Sequence, residues 1–263
     1  MPSLREIIIR AASKGHLEVL KRLLLPNPSY SLQEADTTLE KLVGIAARHC
    51  HSKVLEFCIS LGTNVNDDAV RIGVLESSRL NVYQKVIAAG FDLNYDHDGT
   101  IGGPLIWATL TNHIPLATYL LDHGADVNRD LQNRVYRPLA KAAEKNSVAM
   151  IELFIRYGAQ MDRSGALIVA AEHGNLEAVR CLVSHGADIN LIRKSDTDLY
   201  MKTGEEDSAL HKAVRGGHED VVAFLVESGA RLGLRDHQGN DALMMAVKMN
   251  SAELFQIIYD AQR

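Results

Sequence analysis

The stretch GNLEAVRCLVSHGADIN, residues 174–190, ends in Gly186-Ala187-Asp188-Ile189-Asn190, and that ending returns almost unchanged as Gly124-Ala125-Asp126-Val127-Asn128. Working outward from it, eight segments stack when each is aligned on a pair of small residues near its start. "ALIVAAEHGNLEAVRCLVSHGADIN" (166–190) is the fullest copy, "PLIWATLTNHIPLATYLLDHGADVN" (104–128) and "ALHKAVRGGHEDVVAFLVESGARLG" (209–233) are close to it, and "IIRAASKGHLEVLKRLLL" (8–25) is the first. Self-similarity at a fixed period implies stacked supersecondary units, none of which buries its apolar face alone.

The glycine that closes each full copy falls at 62, 90, 124, 158, 186 and 229, giving steps of 28, 34, 34, 28 and 43 residues. Each copy predicts a short first helix around the small pair, then a reversal, then a longer second helix. Ala12, Ala47, Ala143 and Ala171 keep the contacts between first helices small, and second helices carry bulk such as Leu24, Leu120, Phe154 and Leu225. Small on one side and large on the other curves a stack, with first helices on the concave side. Gly15, Gly174, Gly217, Asn112, Asn146 and Asn250 stand where first helices end, as a left-handed cap requires; Cys50 and Ser78 hold that place in two copies, which predicts a different turn there. Ser3-x-x-Glu6 is a capping box at the first helix.

A period of about 33 residues, with "x-P-L-x-x-A", "G-H-x-x-V" and "L-x-x-G-A-D-V-N" recurring in phase, resembles the ankyrin-repeat family over nearly the whole chain. The resemblance implies an all-α fold, an ankyrin-repeat solenoid of stacked helix-turn-helix units with β-hairpin or loop fingers. It is expected as a single domain over 1–263, with repeats at 4–36, 37–66, 67–98, 99–131, 132–162, 163–190, 191–235 and 236–263.

The repeat is broken in four places. The two short steps shorten the fingers at "TNVNDDAV" and "AQMDRSGA"; "LIRKSDTDLYMKTGEED" (191–207) lengthens another; "PNPSYSLQEAD" (26–36) replaces the first closing phrase, and its prolines predict a helix-free connector. The last copy carries Met244, Met245, Met249, Phe255 and Tyr259 where a terminal repeat ordinarily presents a polar outer face, so self-association through the C-terminal repeat is an expected use of that end.

Composition bounds the function. The chain is 46% hydrophobic and 23% charged with net charge −5. No clustered basic face suits a general nucleic-acid binder. No apolar run reaches the roughly 18–20 residues of a membrane span. Three cysteines without CxxC spacing and a charged, leaderless N-terminus predict a cytoplasmic or nuclear protein.

Eleven histidines invite a metal or catalytic assignment, but register explains most of them. His16, His51, His113 and His218 share a turn position, His123 and His185 precede closing glycines, and His211 opens a first helix; all seven are expected to bond backbone at turns. HExxH, GxGxxG, the Walker loop and GxSxG do not occur. No metal ligand set, no cofactor and no catalytic residue is assigned, and an enzyme is not expected.

Residues after the small pair should face the groove. The expected partner-binding set is Arg48, His49, Tyr95, Arg134, Tyr136, Lys141, Glu144, His173, Tyr200, Lys212, Arg215 and Lys248, with Ser77, Asp207 and Asn240 also on the strip. Lys141 and Lys212 occupy first-helix sites that are apolar in other copies, so each must snorkel or find a carboxylate. The resemblance implies a non-enzymatic interaction module, an adaptor or scaffold that binds a protein partner through groove and fingers. The alternative is small-molecule binding or catalysis in the groove by His49, Lys141, His173, Lys212 and Tyr136.

Overall fold

The computed structural model describes residues 2–95, 103–129, 137–192 and 207–263. The chain divides into two compact units, 1–97 and 98–263. Among the described residues every regular element is a helix.

The first unit holds α1 (Leu4–Lys14), α2 (Leu17–Leu24), α3 (Pro28–Glu34), α4 (Leu39–Arg48), α5 (Ser52–Ser60), α6 (Asp68–Ser77) and α7 (Leu80–Ala88). First helices pack in the order α1, α4, α6 and second helices in the order α2, α5, α7. The Ser3 box starts α1: Ser3 Oγ accepts from the Glu6 amide at 3.2 Å and Glu6 Oε2 accepts from the Ser3 amide at 3.0 Å. The segment after α2 is not the helix-free connector expected from its prolines. Pro28 sits at the start of α3, where a proline's missing N–H costs nothing, and Asn27 caps that helix by accepting from the Tyr30 amide.

The second unit holds α8 (Pro104–Leu110), α9 (Ile114–Asp122), α10 (Pro138–Glu144), α11 (Val148–Arg156), α12 (Met161–Ser164), α13 (Ala166–Glu172), α14 (Leu176–Ser184), α15 (Ala209–Gly216), α16 (Glu219–Glu227), α17 (Ala242–Lys248) and α18 (Ala252–Asp260). Again two rows form: α8, α10, α13, α15, α17 and α9, α11, α14, α16, α18. Between α11 and α13 a single turn of helix, α12, stands where the shortened finger is read.

Within each layer the reversal follows the glycine and asparagine pattern. Asn112, Asn146 and Asn250 take φ of 50°, 52° and 55°. The different turn expected at Cys50 and Ser78 is absent, because both adopt the same left-handed conformation at φ 60° and 49° despite having a Cβ. Packing therefore imposes the turn where the residue does not favour it.

The core lies between the two rows. Ala12, Ala47, Ala143 and Ala171 are fully buried, as are Leu24, Leu120, Phe154 and Leu225. The tightest approach is between α4 and α6. A Cβ on Gly73 would lie 2.1 Å from the carbonyl oxygen of Gly44, and a Cβ on Gly44 would lie 2.2 Å from that of Ala69. These backbones touch because two glycines face each other.

Polar side chains bind layer to layer. Asn175 Nδ2 donates to the carbonyls of Ala143 and Glu144, both at 2.8 Å, and Asn146 Oδ1 accepts from the Ala178 amide at 3.0 Å. Six of the seven register-placed histidines bond backbone: Nε2 of His51, His211 and His218 lies 2.9–3.0 Å from the carbonyls of Ser13, Leu234 and Glu172. Nδ1 of His123 and His185 lies 2.8 Å from carbonyls one turn back, and His113 Nδ1 accepts from the Leu116 amide. His16 precedes α2 without a side-chain cap.

Candidate interaction surface

Residues at the ends of the first helices leave the stack, and these make the candidate surface of each unit. In the first unit Arg48 and His49 are exposed at the end of α4, and Arg48 pairs with Glu76 at the end of α6. The His49 and His51 rings stack at 6.3 Å.

In the second unit the end of α10 carries a local ion cluster, and the ends of α13, α15 and α17 carry a connected network. Lys141 pairs with Glu144 one turn on, and Lys145 reaches Glu144 at 3.7 Å. Lys212 Nζ lies 3.1 Å from Glu172 Oε1 and 3.8 Å from Asp207 Oδ2. Arg215 pairs with Asp207 and reaches Asp236 at 3.6 Å. Asn240 donates to Asp236 at 3.2 Å, and Lys248 donates to Asn240 Oδ1 at 2.5 Å. Ion pairs and, through the neutral amide of Asn240, hydrogen bonds thus connect Glu172 to Lys248 across three layers.

Local structure explains why these groups meet. Asp207 immediately precedes the Ser208 capping box, in which Ser208 Oγ accepts from the His211 amide and lies 3.0 Å from His211 Nδ1. That box fixes the start of α15, and with it the Asp207 carboxylate beneath the last turn of the same helix. Asp236 shapes the loop before α17, accepting from the amides of Gln238 at 2.9 Å and Asn240 at 2.8 Å. Burial alone would raise the Asp236 pKa; those hydrogen bonds and the nearby His211 outweigh it, and the carboxyl titrates below its ordinary range.

Lys141 and Lys212 both resolve the problem of a lysine at an apolar site by finding carboxylates. Their side chains are only 10% and 5% exposed, so these partners decide whether the site is tolerable. Glu144 is half-buried, while Glu172, Arg215 and Lys248 are exposed at one register position, with exposed His173 next to Glu172. Arg134, Tyr136 and Tyr200 lie outside the described residues.

Four strip positions are corrected. Tyr95 is buried, not presented to the groove: its ring packs edge-on against Phe91 at 5.6 Å and lies under the Arg71 guanidinium at 4.5 Å. Burial pushes its pKa up. Ser77 is buried because its hydroxyl donates back to the Val74 carbonyl. Asp207 and Asn240 are buried because each sits beneath a cation, Arg215 or Lys248, and orients it from below.

One constellation escaped the sequence. Asp207, Asp236 and His237 offer three ligand-type atoms within 4.8 Å of one another. The spacing of 29 residues between the two aspartates matches no local ligand motif. Arg215 bridges both carboxylates and Lys212 lies 3.8 Å from Asp207, so the chemistry present is that of an internal ion network. Cys58 is buried and its thiol is pushed up to about 12, and Cys181 is raised by burial and by Glu152, which leaves both as packing residues.

The stacked helix-turn-helix layers define an ankyrin-repeat solenoid, and a family model of ankyrin repeats matches residues 105–193 and 190–262. The chain belongs to the ankyrin-repeat family. It is 24% identical over 258 residues to the ankyrin repeat and KH domain-containing protein mask-1 of Caenorhabditis elegans, covering 94% of this chain and 9% of that protein. It is 27% identical over 268 residues to the ankyrin repeat protein nuc-2 of Neurospora crassa, covering 97% of this chain and 24% of that protein. It is 32% identical over 124 residues to alpha-latroinsectotoxin-Lt1a of Latrodectus tredecimguttatus, covering 45% of this chain and 8% of that protein. The chain therefore spans a quarter or less of these relatives. Ankyrin repeats generally mediate protein–protein interaction. Among the described residues no helix is long and apolar enough to cross a membrane.

Proposed function

We propose that this chain is a non-enzymatic binding module, an adaptor or scaffold that holds a protein partner on the first-helix face of its second unit, around His173, Arg215 and Lys248. The observation that supports this most is the connected chain of ion pairs and hydrogen bonds from Glu172 to Lys248. Cations held from beneath by buried Asp207 and Asn240 are oriented before any partner arrives, which lowers the ordering cost of binding. The two lysines of the first-helix row, Lys141 and Lys212, are each engaged in an ion pair with a neighbouring carboxylate. The three free cysteines support a cytosolic or nuclear setting.

The test is affinity capture with the wild-type chain and with Lys145→Glu/Lys248→Glu, two exposed positions on the face. A stoichiometric protein retained by the wild type and lost by the variant, with identical circular dichroism, is the expected result. Equal capture by both moves the interface elsewhere on the stack. No protein captured by either, with a metabolite co-purifying, favours the small-molecule alternative.

A further inference from the structure

We propose that the partner held by the second unit presents an acidic peptide segment, whose Asp or Glu side chains dock on Arg215, Arg235 and Lys248. This deepens, and rests on, the reading of that face as a binding surface. It is carried by the way charge is sorted between the two rows of helices.

Between Asp207 and Asn250 the exposed charges divide by row. The exposed carboxylates, those of Glu219, Asp220 and Glu227, all stand on the second helix α16. On α15, α17 and the loop that leads into α17, the exposed charged residues are all cations: Arg215, Arg231, Arg235 and Lys248. The acids on that side are covered. Asp207 and Asp236 are buried beneath Arg215. Asp241 is half-buried and caps α17, accepting from the Met244 amide at 2.9 Å. A chain of net charge −5 thus turns its cations outward here.

Two of these cations are held by neutral oxygens. Arg235 donates to the Gly239 carbonyl at 3.0 Å, and Lys248 donates to the Asn240 side-chain oxygen at 2.5 Å. Among the described residues neither forms an ion pair with a carboxylate. Asn240 works as a spacer: its amide nitrogen lies 3.2 and 3.3 Å from the two oxygens of Asp236, while its own oxygen receives Lys248. The lysine is given a direction without having its charge cancelled. A cation held in this way loses little side-chain freedom when a carboxylate arrives.

The exposure of the groove-facing cations belongs to their register. Lys248 shares its position with Arg215 and Glu172, which stay exposed although α15 packs on α13 and α17 packs on α15. The sign reverses at Glu172, and this sets the edge of the acidic footprint. Neighbouring packed helices lie about 8–10 Å apart, and an extended chain rises about 3.3 Å per residue. Carboxylates about three residues apart therefore match one contact on α15 and one on α17. Duplex nucleic acid, with a charge about every 1.7 Å, calls for a denser basic row than one cation per helix end.

Fluorescence anisotropy tests this with a labelled peptide carrying glutamate at every third position among serines, and with its glutamine counterpart. The wild-type chain should bind the glutamate peptide about tenfold or more tightly than the glutamine peptide, with the preference reduced by salt. Arg235→Gln/Lys248→Gln should lose that preference. Arg235→Lys/Lys248→Arg, which keeps both charges, should retain it, and so should Glu219→Gln/Asp220→Asn on the other row. Equal melting temperatures certify that each variant is folded. No preference for glutamate in the wild type overturns the proposal. So does a preference that survives Arg235→Gln/Lys248→Gln, and so does a duplex oligonucleotide that binds more tightly than the glutamate peptide at the same salt. Failure here is distinct from failure of the surface itself: a protein captured by the wild type and lost by Lys145→Glu/Lys248→Glu keeps the surface, while the peptides alone decide its acidic preference.

Discussion

Lys212 Nζ lies 3.1 Å from the carboxylate of Glu172, a residue 40 positions earlier in the preceding layer, and 3.8 Å from buried Asp207. The cation is almost wholly removed from water, so the sign of a substitution depends on which partner is removed. Lys212→Met, which installs the apolar character that Met245 has in register, leaves Asp207 paired with Arg215 and should shift stability by less than about 1.5 kcal/mol. Asp207→Ala takes one carboxylate from two cations, each of which keeps another, Glu172 or Asp236, and should cost about 1–3 kcal/mol. Urea denaturation of both variants and the double variant separates the cases: in the Lys212→Met background the Asp207→Ala penalty should shrink.

The contact of α4 with α6 predicts a steep glycine effect. Gly73→Ala forces a methyl into the Gly44 carbonyl and should cost about 3 kcal/mol or more. Gly233 has open space around its Cβ direction and no left-handed φ. Gly233→Ala should therefore be neutral or stabilise by about 0.4–1 kcal/mol. Thermal melts of the two variants should move in opposite directions.

Cys50 holds a left-handed turn at a cost a glycine would not bear. Cys50→Gly should stabilise the first unit by about 0.5–1 kcal/mol, less than the full left-handed penalty because glycine gains freedom in the unfolded chain. The same residue is the most accessible thiol, with Cys58 and Cys181 buried. In the native state a thiol reagent should modify Cys50 first, and Cys50→Gly should abolish the fast phase.

Asp236 sets a pH dependence. Its carboxyl titrates lower in the folded chain than its ordinary value of 3.8. A depressed folded pKa contributes stability that is complete above the ordinary carboxylate range and is lost as pH falls through the folded value. Asp236→Asn should lower stability at neutral pH by about 1–3 kcal/mol, since the loop amides lose an ionised acceptor. It should also flatten the decline below about pH 4. Chemical denaturation across pH 2–7 checks both limbs.

The layers were legible in the sequence because each is specified locally. Small pairs, turn glycines and asparagines, and the backbone-bonding histidines recur within one period, so register alone locates them. What was not legible depended on single positions or on distance. Pro28 reads as a breaker until its place at the first turn of α3 is known. Cys50 and Ser78 show no left-handed preference, yet their neighbours impose it. Tyr95 reads as a finger tip, and only the fold shows Arg71 and Phe91 closing over it. Asp207 and Asp236 lie 29 residues apart and meet through Arg215; no helix- or turn-sized window contains both carboxylates.

Asp207 also stands midway along the longest interval between closing glycines, the 43-residue step from Gly186 to Gly229. With its carboxylate clamped under Arg215 and the Ser208 box starting α15 behind it, the chain re-enters the stack at a fixed gate. The start of α15 is thereby set by contacts on its own side of the gate, and the aim of the cations on the face depends on those contacts.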